Sequence, residues 1–201
     1  MGVAVAATGL DQLPATFGYR DAIAAGITKH RLYAMRAAGL IESIARGIYR
    51  KTDAEPAVDI DLLEIAKRAP RATLCLTTAL AHHNLTDATP THIDVALPAH
   101  AHRPAVAAPV AWHMFDRATF DIGREELPID EDTVIGIYNA ERCIIDAFRL
   151  RYREGDDLAY IALRRWLRRR GNSPSRLIAM TRSFPKTTTP ISRVLEIIQH
   201  E

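Results

Sequence analysis

The pattern of apolar and polar residues predicts two short helices near the start of the chain. Residues 19–25 have helical spacing and are followed by a turn at Gly26. Thr28 stands where an N-cap residue opens a second helix, and Gly39 stands just beyond its last turn, where glycine commonly ends a helix. Two helices joined by a tight glycine turn are typical of a helix-turn-helix.

A short alternating segment follows the second helix. Residues 40–44 and 47–50 alternate between apolar and polar side chains, and Ala45, Arg46 and Gly47 have the composition of a tight turn. The pattern predicts a β-hairpin placed like the wing of a winged helix-turn-helix. The same succession of elements also fits an oligomerisation or protein-binding module, and the sequence leaves that alternative open.

The second helix carries several polar and basic side chains. When Leu32 and Met35 are set on the inner face, a step of about 100° per residue turns most of these side chains outward. In a helix-turn-helix the N-terminal part of the second helix meets base edges. The candidate base contacts are therefore Thr28, Lys29, His30 and Tyr33. Basic side chains of the same region are candidate phosphate or other DNA contacts, namely Arg31, Arg36, Arg46 and Arg50.

The remainder of the chain alternates between strand and helix patterns. Residues 51–56 are polar and end in proline, as linkers often do. Two helical patterns follow, one over residues 59–69 and one from a cap near Thr77 or Thr78 to about residue 84. Strand patterns cover residues 92–97, 110–115 and 133–138. The remaining helical patterns cover residues 139–153, 156–170, 173–183 and 192–200. We predict an α+β protein: a winged helix-turn-helix over residues 1–53, then a mixed α/β domain over residues 54–201 with a helical C-terminal part.

The net charge of +2 conceals three regions of different sign. Residues 17–51 carry seven Lys and Arg against two Asp and Glu, residues 52–148 carry seven against sixteen, and residues 149–186 carry eleven against three. Segregated charge indicates separate surfaces, and a basic surface is the electrostatic feature expected of a nucleic-acid-binding protein.

The last basic region contains an amphipathic helix pattern over residues 162–171. Leu163, Trp166 and Leu167 form its apolar side. The polar side consists of four candidate DNA-contacting arginines, Arg164, Arg165, Arg168 and Arg169. Such a helix suits phosphate contacts, an acidic partner protein or a membrane surface. The membrane is the least favoured of the three, because the narrow apolar side is also needed for packing.

Groups that could support catalysis form no recognisable motif. Six of the eight histidines lie between residues 82 and 113, but HH and HAH lack the ligand spacing of zinc sites. Asp61, Glu64 and Lys67 fall on one predicted helix and are interpreted as paired charges on a solvated face. Phosphate-loop, dinucleotide-binding and nucleophile-elbow motifs are absent. We predict no enzymatic activity, catalytic residue, metal site or cofactor; a metal-dependent nuclease is the less favoured alternative.

Targeting signals are also absent from the sequence. No apolar run reaches the roughly eighteen residues that span a bilayer. Residues 1–10 lack the basic flank of a signal peptide, and Ala6 does not meet the requirement for myristoylation. Cys75 and Cys143 lie far apart in apolar surroundings, as buried free thiols do. We expect a cytoplasmic protein with no membrane partner.

Four stretches carry a resemblance to a known family: AAGITKHRLYAMRAAGLIESIARGIYR in the first region, and LTTALAHHNLTD, THIDVALP and AERCIIDAF in the second. In their order and spacing they resemble the AbiEi antitoxins, the transcriptional regulators of type IV toxin-antitoxin systems. The resemblance implies a winged helix-turn-helix that binds inverted repeats of double-stranded DNA in the promoter of its own operon. Two monomers or a preformed homodimer could occupy such repeats.

The resemblance also implies a role for the second domain. It would be an antitoxin domain that counters a nucleotidyltransferase-like toxin encoded alongside, and the two proteins need not form a stable complex. Its basic residues would assist DNA binding. The alternative to this account is a protein-interaction module whose basic helix near Trp166 docks an acidic partner.

Overall fold

A computed structural model of the chain describes residues 9–57 and 59–199. The expectations for residues 1–8, that they carry no signal peptide and no myristoylation site, lie outside this part of the chain, as does the predicted helix end at His200. No helix among the described residues is both long and apolar enough to cross a membrane.

The described residues form nine helices and eight strands. The helices are α1 (Tyr19–Ala24), α2 (Lys29–Ala37), α3 (Ile60–Arg68), α4 (Leu76–His82), α5 (Ala140–Arg149), α6 (Arg151–Glu154), α7 (Asp156–Leu167), α8 (Pro174–Thr181) and α9 (Thr188–Gln199). The strands are β1 (Thr16–Gly18), β2 (Ile41–Ala45), β3 (Ile48–Lys51), β4 (Thr73–Leu74), β5 (Ile93–Pro98), β6 (Val110–Phe115), β7 (Arg124–Pro128) and β8 (Val134–Tyr138). The predicted mixture of helices and strands is confirmed.

The strands form two sheets. One has three antiparallel strands in the order β1-β3-β2, and the other has five strands in the order β6-β5-β4-β8-β7. Contacts divide the described residues into two compact units: residues 9–57, 59–71, 104–107 and 127–135 in the first, and 72–103, 108–126 and 136–199 in the second. These units differ from the predicted division between residues 53 and 54. Whether the chain folds as two independent domains that meet between residues 53 and 54 stays a prediction.

The core of the first unit is built by α1, α2 and the three-stranded sheet. Phe17 of β1 and Tyr49 of β3 lie in neighbouring strands with their ring centroids 6.0 Å apart. Ile27, between the two helices, and Leu32 and Met35 of α2 are buried in the same apolar cluster. Burial of such side chains is the main term that stabilises a small unit, and it fixes which face of α2 points inward.

The second unit buries charged groups along α5. Arg142 and Asp146 are fully buried and form an ion pair of 2.9 Å one helical turn apart. Arg142 also donates to the carbonyls of Thr119 and Ile122 at 2.6 and 2.7 Å, and its guanidinium carbon lies 4.2 Å from the Tyr138 ring centroid. A buried charge is tolerated only when it is paired and hydrogen-bonded, so this network fixes α5 within the unit.

Several predicted element bounds require correction. Helix α4 begins at Leu76 rather than near Thr77 or Thr78, because the Thr78 hydroxyl accepts the backbone N–H of Asp94 in β5 instead of capping the helix. The pattern over residues 139–153 contains two helices separated at Leu150, and α7 ends at Leu167. The last helix begins at Thr188, four residues before its predicted start at residue 192.

Candidate nucleic-acid interface

Helix α2 is delimited by the two residues that the sequence singles out. The Thr28 hydroxyl accepts the backbone N–H of Arg31 at 3.3 Å, which satisfies one of the free donors of the first turn. At the other end, Gly39 has a φ of +71°. Its N–H donates to the carbonyl of Arg36, and the N–H of Leu40 donates to that of Met35, which is the Schellman arrangement. The predicted cap and stop are confirmed.

The two faces of α2 differ completely in burial. Leu32 and Met35 are 1% and 0% exposed. The opposite face is open to solvent: its exposed residues are Thr28, Lys29, His30, Tyr33, Ala34, Arg36 and Ala37. Arg31 is partly buried on the flank. The small side chains of Ala34 and Ala37 lie among longer polar ones, so a flat or grooved partner can approach the helix backbone closely.

Tyr33 is the largest exposed side chain on this face, at 52% exposure. The Lys29 ammonium lies 5.9 Å from its ring centroid, within the range of a cation–π contact. Such exposed contacts contribute only about 0.5–1 kcal/mol. The pair is therefore loosely held and can rearrange when a partner binds.

The hairpin that follows α2 presents Arg46 at its turn. Strands β2 and β3 pair antiparallel with a bulge between Ser43 and Ala45, and Arg46 and Gly47 connect them. The carbonyl of Gly47 accepts the N–H of Tyr19 at 2.8 Å, which ties the turn to the start of α1. The Arg46 side chain is exposed. The predicted hairpin is confirmed, whereas its role as a wing stays a proposal.

A basic cleft lies beside this turn. The cleft has a volume of about 520 Å³, and four cationic side chains line it: Arg20, Arg46, Lys67 and Arg68. Arg68 donates to the carbonyl of Arg46 at 3.1 Å and pairs with Glu64. The candidate DNA-contacting residues named from the sequence did not include Arg20, Lys67 or Arg68. Of these three, only Arg20 could have been found from the sequence, because it lies in the first turn of α1 within the predicted helix-turn-helix. Lys67 and Arg68 lie on α3, beyond the predicted linker.

Arg50 does not belong to the exposed set. It is only 5% exposed, and its guanidinium donates to the backbone carbonyls of Ala54 and Glu55. The side chain thus holds the segment after β3 against the sheet. The prediction of Arg50 as a DNA contact assumed an exposed side chain, because alternation along a strand does not reveal that the next residues fold back over it.

The arginines of residues 164–169 are only partly available. Arg165 forms a two-pronged ion pair with Asp87, and its hydrogen bonds hold the pKa of the Asp87 carboxyl below its ordinary value. Arg169 donates to the carbonyl of Asn84 at 2.8 Å. Arg164 and Arg168 are exposed. Because α7 ends at Leu167, Arg168 and Arg169 lie beyond the regular helix, contrary to the predicted helix end at residue 170.

Burial also changes the interpretation of one acidic side chain, Glu64, and one apolar side chain, Trp166. Glu64 is buried rather than solvated, and its carboxylate accepts from Arg68 at 2.6 Å and from the N–H of Ala107 at 2.9 Å. Trp166 is 1% exposed, so its ring packs inside the second unit instead of facing a partner. Glu64 therefore serves to stabilise its own unit.

Three of the histidines between residues 82 and 113 hydrogen-bond to other groups of the protein. His113 and His92 each bond one oxygen of Asp94, at 2.9 and 3.2 Å, and His83 bonds the carbonyl of Tyr138 at 2.7 Å. Within residues 9–57 and 59–199 no three His, Cys, Asp or Glu side chains converge as a metal site. Cys75 and Cys143 are both buried free thiols, as predicted.

Residues 11–50 match the model of a known family, the AbiEi antitoxin transcriptional regulators. This segment contains α1, α2 and most of the hairpin, so the resemblance expected from the sequence is confirmed for the region that carries the exposed helix. The matched segment covers 40 of the 201 residues, and the family it matches consists of antitoxins that regulate transcription. No curated protein matches the chain.

Proposed function

We propose that the chain binds double-stranded DNA in its own promoter and represses its operon. The observation that carries this proposal is the outer face of α2, where polar, basic and small side chains are exposed while Leu32 and Met35 point inward. A helix with this arrangement fits the major groove, which is wide enough to admit it. The family match of residues 11–50 to transcriptional regulators supports the same role.

The side chains divide into two groups by chemistry. Lys29, His30 and Tyr33, near the start of α2, contact base edges, as the first residues of a recognition helix do. Thr28 already caps the helix through its hydroxyl, so its contribution is mainly to fix the first turn. Phosphate contacts come from side chains on the flanks and in the basic cleft: Arg31, Arg36, Arg46, Arg20 and Lys67.

The hairpin acts as a wing in this arrangement. Arg46 sits at its turn, and the backbone bond from Tyr19 to Gly47 holds that turn at the start of α1. In a helix-turn-helix the first helix crosses the DNA backbone. Arg20 in the first turn of α1 and Arg46 in the wing therefore face the same phosphate run.

The second unit has the antitoxin role that the family resemblance implies. It counters a nucleotidyltransferase-like toxin encoded in the same operon. Arg164 and Arg168, whose side chains are exposed, assist DNA binding. Arg165 and Arg169 contact Asp87 and the carbonyl of Asn84. Inverted repeats in the promoter would bind two copies of the chain.

Fluorescence anisotropy with labelled upstream DNA tests the repressor role. We expect the promoter duplex to bind at least about a thousandfold more tightly than a shuffled duplex of equal composition. The affinity should fall steeply with salt, because each neutralised phosphate adds about −0.9 to the slope of log K against log salt. Equal affinity for promoter and shuffled DNA would reject the proposal.

Variants then separate the two groups of contacts. Arg36→Ala should weaken promoter and shuffled DNA alike and reduce the salt slope by about one. His30→Ala should instead alter the preference among promoter base substitutions. If His30→Ala changes affinity without changing sequence preference, the assignment of base contacts to α2 is wrong.

Co-expression with the adjacent toxin gene tests the antitoxin role separately. The wild-type chain should restore growth when expressed from an unrelated promoter. The Lys29→Glu variant, which binds the operator more weakly, should restore growth equally well if antitoxin action requires no DNA. Failure of both proteins to restore growth would remove the antitoxin role and leave the repressor role to be judged by anisotropy.

A further inference from the structure

The second unit contains a basic, aromatic cavity that the DNA-binding role does not use. It lies where β6 meets the end of α5 and has a volume of about 350 Å³. Three arginines and three ring side chains are among its lining residues: Arg103, Arg149, Arg153, Trp112, His113 and Phe115. Ligand sites commonly occupy about 300–1,000 Å³, so the cavity has the size of a small-molecule site.

Arg149 is held at the wall of this cavity. Its guanidinium carbon lies 4.6 Å from the ring centroid of Phe115, and one terminal nitrogen is 2.9 Å from a carboxylate oxygen of Asp146. Its Nε is buried and has no hydrogen-bond acceptor among the described residues. A buried donor without an acceptor is costly, and an anion in the cavity could supply that acceptor.

The positive charge at this wall is incompletely balanced. Asp146, which is fully buried, pairs with both Arg142 and Arg149. One carboxylate therefore serves two guanidinium groups. None of the described side chains that line the cavity is acidic.

Two further arginines stand at the cavity with exposed side chains. Neither Arg103 nor Arg153 forms an ion pair with a carboxylate in the part of the chain that the structure describes. Arg165, elsewhere in the unit, is instead neutralised by Asp87. Cations that converge on a cavity without counter-charges create a field that attracts anions.

We propose that this cavity binds a nucleoside phosphate. Guanidinium groups bind phosphate oxygens through paired, charge-assisted hydrogen bonds, and Arg103, Arg149 and Arg153 supply three of them. A planar base would stack on Trp112, which is partly exposed at the cavity. His113 lies at the same wall with its Nε2 bonded to Asp94 at 2.9 Å, which fixes the ring.

Intrinsic fluorescence provides the test, because only two tryptophans are present. Trp166 is 1% exposed and does not line the cavity, so a ligand-induced change should come from Trp112. The full-length protein is titrated with adenosine and guanosine 5′-monophosphates, with the corresponding nucleosides, with inorganic phosphate and with a single-stranded oligonucleotide. We expect saturable quenching by at least one nucleotide and at least about tenfold weaker binding of its nucleoside and of phosphate alone.

Variants identify the site. Arg103→Gln and Arg153→Gln should each weaken nucleotide binding at least about fivefold by calorimetry. Arg182→Gln, which changes an exposed arginine outside the cavity, is the matched control and should bind as the wild type does. Calorimetry with Trp112→Phe should show weakened binding that fluorescence can no longer report.

Several outcomes would overturn the proposal. The first is that inorganic phosphate binds as tightly as the nucleotides, and the second is that Arg182→Gln weakens nucleotide binding as much as Arg103→Gln and Arg153→Gln do. The others are that no nucleotide binds, or that only the oligonucleotide binds. The titrations contain no promoter DNA. Their result therefore stands apart from that of the repressor experiment.

Discussion

Helix α2 and residues 164–169 are both rich in basic residues, yet they use them differently. On α2, Lys29, His30 and Arg36 are exposed and form no ion pair among the described side chains. In the second stretch, Arg165 is bound by Asp87 and Arg169 by the carbonyl of Asn84. Basic composition alone therefore does not identify a DNA-binding surface. A basic side chain is available to DNA only when no group of its own unit already binds it.

The largest effect should come from the inner face of α2. Leu32→Ala removes a fully buried side chain and should lower the free energy of unfolding by about 2–5 kcal/mol. Tyr33→Ala, one residue further on, removes an exposed ring and its contact with Lys29, and should change it by at most about 1 kcal/mol. Urea titrations of both variants measure the difference. Equal destabilisation would mean that the outer face also packs against protein.

The second largest effect should be on DNA affinity, and it should come from α2 rather than from residues 164–169. Lys29→Glu should weaken promoter binding by about tenfold to a hundredfold, since it replaces an attraction to DNA by a repulsion. Thermal unfolding should change little, because Lys29 is exposed and its contact with the Tyr33 ring is weak. Anisotropy and calorimetry on the same preparation separate the two quantities. A folded variant with wild-type affinity would contradict the assignment of α2.

A smaller effect is expected at the end of α2. Gly39 has a φ of +71°, and a Cβ atom there would meet no other atom within 4 Å. Gly39→Ala should therefore cost only conformational energy, about 1 kcal/mol. Gly39→Asn is the matched control, because asparagine tolerates this conformation better. If alanine and asparagine destabilise equally, the left-handed conformation is not the cause.

The smallest effects are expected in residues 164–169. Arg168→Ala should weaken promoter binding only about two- to threefold, as the loss of one peripheral phosphate contact. Arg165→Ala should leave DNA affinity unchanged, because its guanidinium is engaged with Asp87. Salt-dependent anisotropy distinguishes them: Arg168→Ala should reduce the slope and Arg165→Ala should not. The reverse result would show that the Asp87 pair opens when DNA binds.

Local chemistry explains what could be predicted from the sequence. The start and end of α2 follow from Thr28 and Gly39, whose caps involve only neighbouring residues. Its inner face follows from the spacing of Leu32 and Met35. The hairpin could also be predicted, because its turn and both strands lie within a few residues of one another.

Partners distant in sequence explain what could not be predicted. Asp87 lies 78 residues from Arg165, and Asn84 lies 85 residues from Arg169. The two-residue strand β4 exists only because β5 and β8 pair with it. The basic cleft likewise requires that α3 return to the hairpin turn, which no local pattern indicates.

Hydrogen–deuterium exchange of the full-length protein with and without promoter DNA tests the central claim most directly. First-turn amides of a helix lack intrahelical partners and exchange readily when exposed. We predict that DNA protects α2 and the turn at Arg46 most strongly, and residues 164–169 weakly or not at all. Protection confined to residues 164–169, with α2 exchanging as it does in the free protein, would contradict the account.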